Sequence, residues 1–144
     1  MMNNKGFTLV ELIATIALLA IIAIISFVSI NAVIDSSKIN ECNVLVNNIK
    51  SATKEYISDN RYSLGEISAY KVSGDDKKYN FSTSVLVDKK KLANPVINPF
   101  DDNETTNDVT TSTYVDVILN SDYTVKNVVI KYLEHEINCD SKEW

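Results

Sequence analysis

Hydrophobic and polar positions divide the chain at about residue 34. Residues 7–34 contain 22 apolar residues out of 28, whereas residues 35–144 contain 41 out of 110. Residues 12–34 are 23 consecutive residues without a charge, and as a helix they extend about 34 Å, enough to cross a hydrocarbon core of about 30 Å. The 58 residues that follow Gly6 contain neither glycine nor proline, so nothing there forces the backbone to break. The pattern predicts one long helix whose first half spans a membrane.

After residue 34 the apolar positions of the helix narrow to one stripe. They recur every three or four residues as far as about Asp59, with polar residues on the other side, which predicts an amphipathic helix that faces a core. The positions of the stripe are Ile39, Cys42, Leu45, Ile49, Ala52 and Tyr56.

The remainder of the chain is predicted to form a small sheet. After turn formers at residues 60–74, alternation and β-branched residues predict strands at 79–87, 113–119 and 123–133. The last alternation changes phase near Lys126, which predicts a β-bulge, and residues 120–122 predict a hairpin turn. A loop with two Asn-Pro steps follows residue 93, and we expect Phe100 to anchor it. The predicted fold class is therefore α+β, a long N-terminal helix packed against a small C-terminal antiparallel sheet.

Composition excludes several classes of function. A chain of 144 residues is shorter than large α/β enzyme folds, and a net charge of −5 argues against a basic nucleic-acid binder. Three dispersed glycines build no phosphate loop, and no nucleophile–base set forms around the lone His135. We therefore expect no enzyme activity and no cofactor.

Glu11 lies within the apolar segment and needs a partner there. A carboxylate at the centre of a spanning helix costs about 2.5–3.5 kcal/mol, and less near an end. If the chain were cut after Gly6, the new amino group of Phe7 would lie one helical turn from Glu11. That amine could pair with the carboxylate in the same chain or in a neighbour. The alternative is a carboxylate resting at the bilayer interface.

The run Gly6-Phe7-Thr8-Leu9-Val10-Glu11-Leu12, with a Lys5-containing leader before it and about twenty apolar residues after it, resembles the amino terminus of a type IV prepilin. The resemblance implies cleavage between Gly6 and Phe7 by a membrane-embedded prepilin peptidase, N-methylation of Phe7, and an assembly role for Glu11 together with Thr8. It divides the chain into a leader at 1–6, a hydrophobic transmembrane and assembly helix at 7–34, and a pilin head at 35–144.

The same resemblance implies partners and location. The partners are other pilin subunits, the peptidase and methylase, a pilus assembly platform and, before assembly, the membrane; nucleic acid is not expected. The chain would lie in the cytoplasmic membrane first and in an extracellular pilus afterwards. Two alternatives stay open: a pseudopilin of a type II secretion or DNA-uptake system, and a membrane-anchored binding domain that never assembles.

Three further features of the sequence each allow two interpretations. Cys42 and Cys139 are expected to form a disulfide, with two reduced thiols as the alternative. An acidic loop offers oxygen ligands for calcium, although its spacing is not that of an EF-hand and a solvated loop is favoured. Charge is segregated, with six lysines in residues 70–91 and six acids in residues 98–125, so patches of adjacent subunits either meet or face solvent. The loop residues are Asp101, Asp102, Asn103, Glu104 and Asp108.

Overall fold

The computed structural model describes residues 7–61, 69–71 and 76–144, without the side chains of 27–29 and 69–71. The chain forms two compact units, Met1–Ser37 and Lys38–Trp144. Helix α1, Leu9–Asp59, contributes to both. The elements that follow all belong to the second unit, which we call the head. They are β1 (Ala69–Lys71), β2 (Lys77–Ser82), α2 (Thr83–Asp88), β3 (Thr113–Leu119), β4 (Val125–Tyr132) and β5 (His135–Glu136).

In the first unit, the described side chains of α1 face no core. Every side chain that the structure describes among residues 7–37 is exposed. This part of α1 is long and apolar enough to cross a membrane. The exposure of so many large apolar side chains agrees with a segment whose natural surroundings are lipid or other apolar helices.

In the head, α1 buries one face, as its stripe predicts. Cys42, Ile49, Ala52 and Tyr56 are buried, and the core extends beyond the predicted stripe to Thr53 and Ile57. The tilted rings of Tyr56 and Phe81, 5.5 Å apart, join α1 to β2. The α+β layout predicted from the periodicity is therefore the observed one.

The sheet is antiparallel and its strands lie in the order of the sequence, β1-β2-β3-β4-β5. Strand β3 has the predicted bounds, and Val115, Val117 and Leu119 lie in the core. Between β3 and β4 the register passes from Ile118 opposite Asn127 to Leu119 opposite Val125, so Lys126 is an extra residue. The predicted bulge is confirmed at that residue.

The predicted hairpin turn also forms. The backbone N–H of Tyr123 donates to the carbonyl of Asn120 at 3.0 Å, and that of Asn120 donates to the carbonyl of Thr124 at 2.9 Å. Tyr123 has φ of 64°, the left-handed conformation that closes the turn. Strand β4 consequently begins at Val125 rather than at residue 123, and it ends at Tyr132.

The first predicted strand, 79–87, is wrong in its second half. Strand β2 ends at Ser82, and α2 follows at once. The Ser82 side chain accepts a hydrogen bond from the backbone N–H of Ser84 and so caps the helix. The buried Thr83 hydroxyl donates to the carbonyl of Thr110 at 2.7 Å, which fixes the point where the chain turns out of the sheet.

Two short strands were not predicted, and the anchor of the Asn-Pro loop was misplaced. Strand β1 lies within the segment predicted as turn, and β5 pairs with the end of β4. Phe100 is only half-buried, whereas Val96 is fully buried. The Val96 N–H donates to the Thr110 hydroxyl at 2.8 Å, and the Val96 carbonyl accepts from Val109 at 2.9 Å. Val96 is therefore the residue that anchors this loop to the core.

Candidate functional site

Thr8 and Glu11 form a reciprocal cap at the start of α1. The Glu11 N–H donates to Thr8 Oγ1 at 3.2 Å, and the Thr8 N–H donates to Glu11 Oε2 at 3.0 Å. The Thr8 hydroxyl also donates to Oε2, at 2.9 Å. This arrangement is a capping box, in which each side chain satisfies a backbone N–H that the first turn leaves without a partner. Sequence analysis placed both residues in an assembly role and missed the cap, although Thr-x-x-Glu before an apolar run is its sequence signature.

The cap orients the Glu11 carboxylate. Both hydrogen bonds from Thr8 end on Oε2, and among the described residues no donor reaches Oε1. One carboxylate oxygen is thus held while the other has its lone pairs available to a cation. Phe7, which precedes the cap, is 81% exposed, and Gly6 lies outside the described residues.

Two other polar side chains of the apolar segment, Thr15 and Ser26, form hydrogen bonds to the helix itself. The Thr15 hydroxyl donates to the carbonyl of Leu12 at 2.8 Å, and the Ser26 hydroxyl donates to that of Ile22 at 2.8 Å. In a membrane, these internal hydrogen bonds lower the free-energy cost of burying a hydroxyl, because no water is present there to accept a hydrogen bond from it. Glu11 differs from both, since it is the one carboxylate between residues 7 and 34.

In the head, Cys42 and Cys139 form a disulfide, with 5.7 Å between their Cα atoms. The bond holds the segment after β5 against α1. Trp144, near the end of that segment, is half-buried and packs against the core.

The acidic loop does not gather its side chains around one point. Asp101 accepts hydrogen bonds from Thr106 Oγ1 at 2.6 Å and from the N–H of Asn103, which hold the pKa of its carboxyl below the usual range. Asp102 instead pairs with Lys38 of α1 at 2.6 Å. Asp101 and Asp102 are therefore engaged by different partners rather than by one shared ligand.

The other candidate ligands are also engaged or apart. Asn103 Oδ1 accepts from Thr105, and hydrogen bonds from Thr110 lower the pKa of Asp108. Glu104 is exposed. In the part of the chain that the structure describes, no three residues among His, Cys, Asp and Glu are placed to hold a metal ion.

Asp116 is a buried charge that sequence analysis did not single out. It lies on β3, and its side chain is only 8% exposed. Oδ2 contacts Lys131 Nζ at 2.8 Å and Lys78 Nζ at 3.0 Å, while Asn80 donates to Oδ1 at 2.6 Å. Burial opposes ionisation, but the hydrogen bonds from Lys131, Asn80 and Lys78 outweigh it and lower the pKa of Asp116. The cluster ties three strands together.

Comparison with known proteins identifies the amino terminus. Residues 1–27 match the family model of the prokaryotic N-terminal methylation motif. The match confirms the resemblance to a type IV pilin or prepilin-type protein, and the observed layout of helix and sheet is pilin-like. The motif implies processing by a prepilin peptidase and assembly with pilin subunits, and it suggests a structural protein. Comparisons with curated proteins and with solved structures find no match.

Proposed function

We propose that the chain is a structural subunit of a type IV pilus, as a major or minor pilin. It is cleaved after Gly6 and methylated at Phe7, and it assembles through the apolar half of α1. Its partners are other pilin subunits and the assembly platform. The observation that carries the proposal is the capped Glu11 carboxylate, which lies within the methylation motif and opens an apolar helix whose described side chains are exposed.

The exposed apolar face requires a cover in each state of the subunit. Fully burying one large aliphatic side chain stabilises a structure by about 1.5–3 kcal/mol. Phe7, Leu9, Val10, Leu12 and Ile13 are each more than half exposed, and the series continues along the first unit. Lipid covers this surface while the subunit lies in the cytoplasmic membrane. In an extracellular filament, the same segments of other subunits replace the lipid.

The Glu11 carboxylate restricts which arrangements of helices can replace the lipid. A carboxylate that leaves the interface for an apolar bundle is stable only when it is paired, because an unpaired buried charge costs several kcal/mol. Cleavage after Gly6 creates a cationic amine at Phe7, and methylation keeps its charge. The free Oε1 of Glu11 can accept this amine while Thr8 retains Oε2. Helices therefore pack in the register that brings a neighbour's amine to Glu11.

These roles divide the chain into three parts. Residues 1–6 are the leader, 7–34 the membrane and assembly helix, and 35–144 the part that faces outward, which includes the head. The methylation motif and the apolar helix support the first two limits.

Substitution of Glu11 tests the proposal, because two variants separate charge from capping. Glu11→Ala removes both, whereas Glu11→Gln keeps an acceptor for the Thr8 N–H and removes the charge. We expect both variants to insert into the membrane and to be cleaved after Gly6. We expect neither variant to be incorporated into filaments together with wild-type chains. The measurement is the amount of each variant in filaments sheared from cells, compared with its amount in the membrane.

The matched control is Thr15→Ala, which removes a polar side chain one turn further along without altering the charge. It should assemble normally. Normal incorporation of Glu11→Gln would show that the carboxylate serves only as a helix cap, and would contradict the pairing role.

A further inference from the structure

The head contains two short sequences with the form of an acceptor for an Asn-linked glycan. This form is Asn-x-Ser/Thr, with any residue except proline at x. Asn80-Phe81-Ser82 and Asn103-Glu104-Thr105 have it, and no other asparagine of the chain does. Because so short a pattern also arises by chance, the surroundings of each asparagine decide whether an enzyme can use it.

Asn80 is held in the sheet. It is exposed, but it lies on β2 opposite Asp116, and its Nδ2 donates to Asp116 Oδ1 at 2.6 Å. The Ser82 hydroxyl donates to the carbonyl of Thr110 at 3.2 Å, and Phe81 between the two polar residues is buried in the core. An enzyme that uses the Asn80 amide would have to break these contacts and draw β2 away from the sheet.

Asn103 lies at the tip of a loop instead. Residues 102–106 are all exposed, and they belong to no helix or strand. The base of the loop is closed by the backbone N–H of Asn98, which donates to the carbonyl of Asn107 at 2.8 Å. Within the described part of the chain, no acceptor takes a hydrogen bond from Asn103 Nδ2. An enzyme can therefore reach this amide without unfolding the head.

Thr105 acts on the oxygen of the same amide. Its backbone N–H donates to Asn103 Oδ1 at 3.1 Å, and its hydroxyl donates to that atom at 2.7 Å. Negative charge develops on Oδ1 when the amide gives up a proton, and two donors that already point at this oxygen stabilise the charge. Thr105 is thus placed to assist the loss of a proton from the nitrogen that has to react.

The hydroxyl groups beside Asn103 are already engaged. The Thr105 hydroxyl donates to Asn103, and the Thr106 hydroxyl donates to Asp101 Oδ2 at 2.6 Å. Of the Asn103, Thr105 and Thr106 side chains, only the amide of Asn103 has a donor group without an acceptor among the described residues. This favours attachment through nitrogen over attachment through a hydroxyl oxygen.

We propose that Asn103 is the attachment site of an Asn-linked glycan, transferred from a polyprenyl-pyrophosphate oligosaccharide by an oligosaccharyltransferase. The bond from Nδ2 to the anomeric carbon of the first sugar forms as the bond from that carbon to the pyrophosphate oxygen breaks. The pyrophosphate leaves with the electron pair of that bond, and the amide proton passes to a base of the enzyme. The inference rests on the proposed function in one respect, since such a transfer requires the head to lie outside the cytoplasmic membrane.

Mass spectrometry of the full-length protein isolated from its own cells tests this inference. Trypsin releases the two acceptor sequences in different peptides, residues 79–89 and residues 92–126. We expect the peptide of residues 92–126 to carry the mass of a glycan, recognised by its sugar fragment ions. Electron-transfer fragmentation should place this glycan on Asn103. The peptide of residues 79–89 should carry none.

Substitutions in the loop test the roles of the two residues. Asn103→Gln removes the acceptor and should abolish the glycan. Thr105→Ala keeps the acceptor but removes the hydroxyl donor, and it should lower the glycosylated fraction at least about tenfold, whereas Thr105→Ser should retain the glycan. The matched control is Asn107→Gln, at an asparagine of the same loop with no serine or threonine two residues later, and it should leave the glycosylated fraction unchanged.

Three results would overturn the inference. They are an unmodified peptide of residues 92–126, a glycan on Asn80 or on a threonine hydroxyl in place of Asn103, and a glycan that persists undiminished in Thr105→Ala.

The amino terminus separates this inference from the proposed function. Filament subunits that begin at methylated Phe7 and have an unmodified Asn103 would overturn the glycan site alone. A chain that keeps Met1, forms no filament and carries the glycan on Asn103 would overturn the proposed function alone.

Discussion

The disulfide between Cys42 and Cys139 should contribute much of the stability of the head. The two residues are 97 positions apart, so the bond closes most of the head into one loop. In the chain-entropy model, a loop of this length lowers the entropy of the unfolded chain by about 16 cal/mol/K, or about 4.7 kcal/mol at 25 °C. Against a typical domain stability of about 5–15 kcal/mol, this is a large fraction.

Urea unfolding of the full-length protein in detergent measures this contribution. Trp144 is the single tryptophan, and it packs against the core five residues after Cys139, so its fluorescence reports on the head. With an m-value of about 1.5–2.3 kcal/mol/M, reduction of the disulfide should lower the midpoint by about 2–3 M. Cys42→Ala/Cys139→Ala should show the lower midpoint with or without reductant.

A loss of less than about 1 kcal/mol on reduction would refute the loop-closure reasoning. A midpoint in the double variant that still responds to reductant would show that the effect arises elsewhere. Two titratable thiols in the untreated protein would show that the bond is not formed.

The remaining predictions concern the core and the buried carboxylate. Ile57→Ala, at a position 1% exposed, should lower the free energy of unfolding by about 2–5 kcal/mol, whereas the control Val44→Ala, 59% exposed, should change it by less than about 0.5 kcal/mol. The pKa of Asp116 is lowered in the folded head, so its contribution to stability is present above its unfolded pKa of about 3.9 and is lost as pH falls through the folded value. Asp116→Asn should therefore be less stable than wild type at pH 7, with a difference in urea midpoint that shrinks by pH 3; a constant difference would contradict the linkage.

Much of the fold could be predicted because the signals are local. The stripe from Cys42 to Tyr56 predicted both the face and the end of α1, since periodicity depends only on neighbouring residues. Strand β3 is rich in β-branched residues, which favour a strand, and the change of phase near Lys126 is itself the signature of a bulge.

Prediction failed where a distant contact decides the conformation. Phe81, Val85 and Val87 alternate like a strand, yet the chain leaves the sheet after Ser82 because buried Thr83 bonds to Thr110, 27 residues away. Strands β1 and β5 have three and two residues, too few to show a period.

The candidate site likewise contains local features that could be predicted from the sequence and long-range contacts that could not. Gly6, Phe7 and Glu11 identified the methylation motif because their spacing in the sequence carries the signal. The cap from Thr8 was readable from Thr-x-x-Glu but was overlooked. The ion pair of Lys38 with Asp102 joins residues 64 positions apart and follows only from the folded head.

The amino terminus of the protein in assembled filaments tests the central claim most directly. Filaments sheared from cells that express the full-length chain are purified, and intact-mass and fragment-ion spectra are recorded. We expect a chain that has lost residues 1–6, begins at Phe7 and carries one methyl group on its amine. Filaments whose subunits begin at Met1, or a functional protein that keeps Met1 and is never found in filaments, would contradict the assignment as a processed pilin subunit.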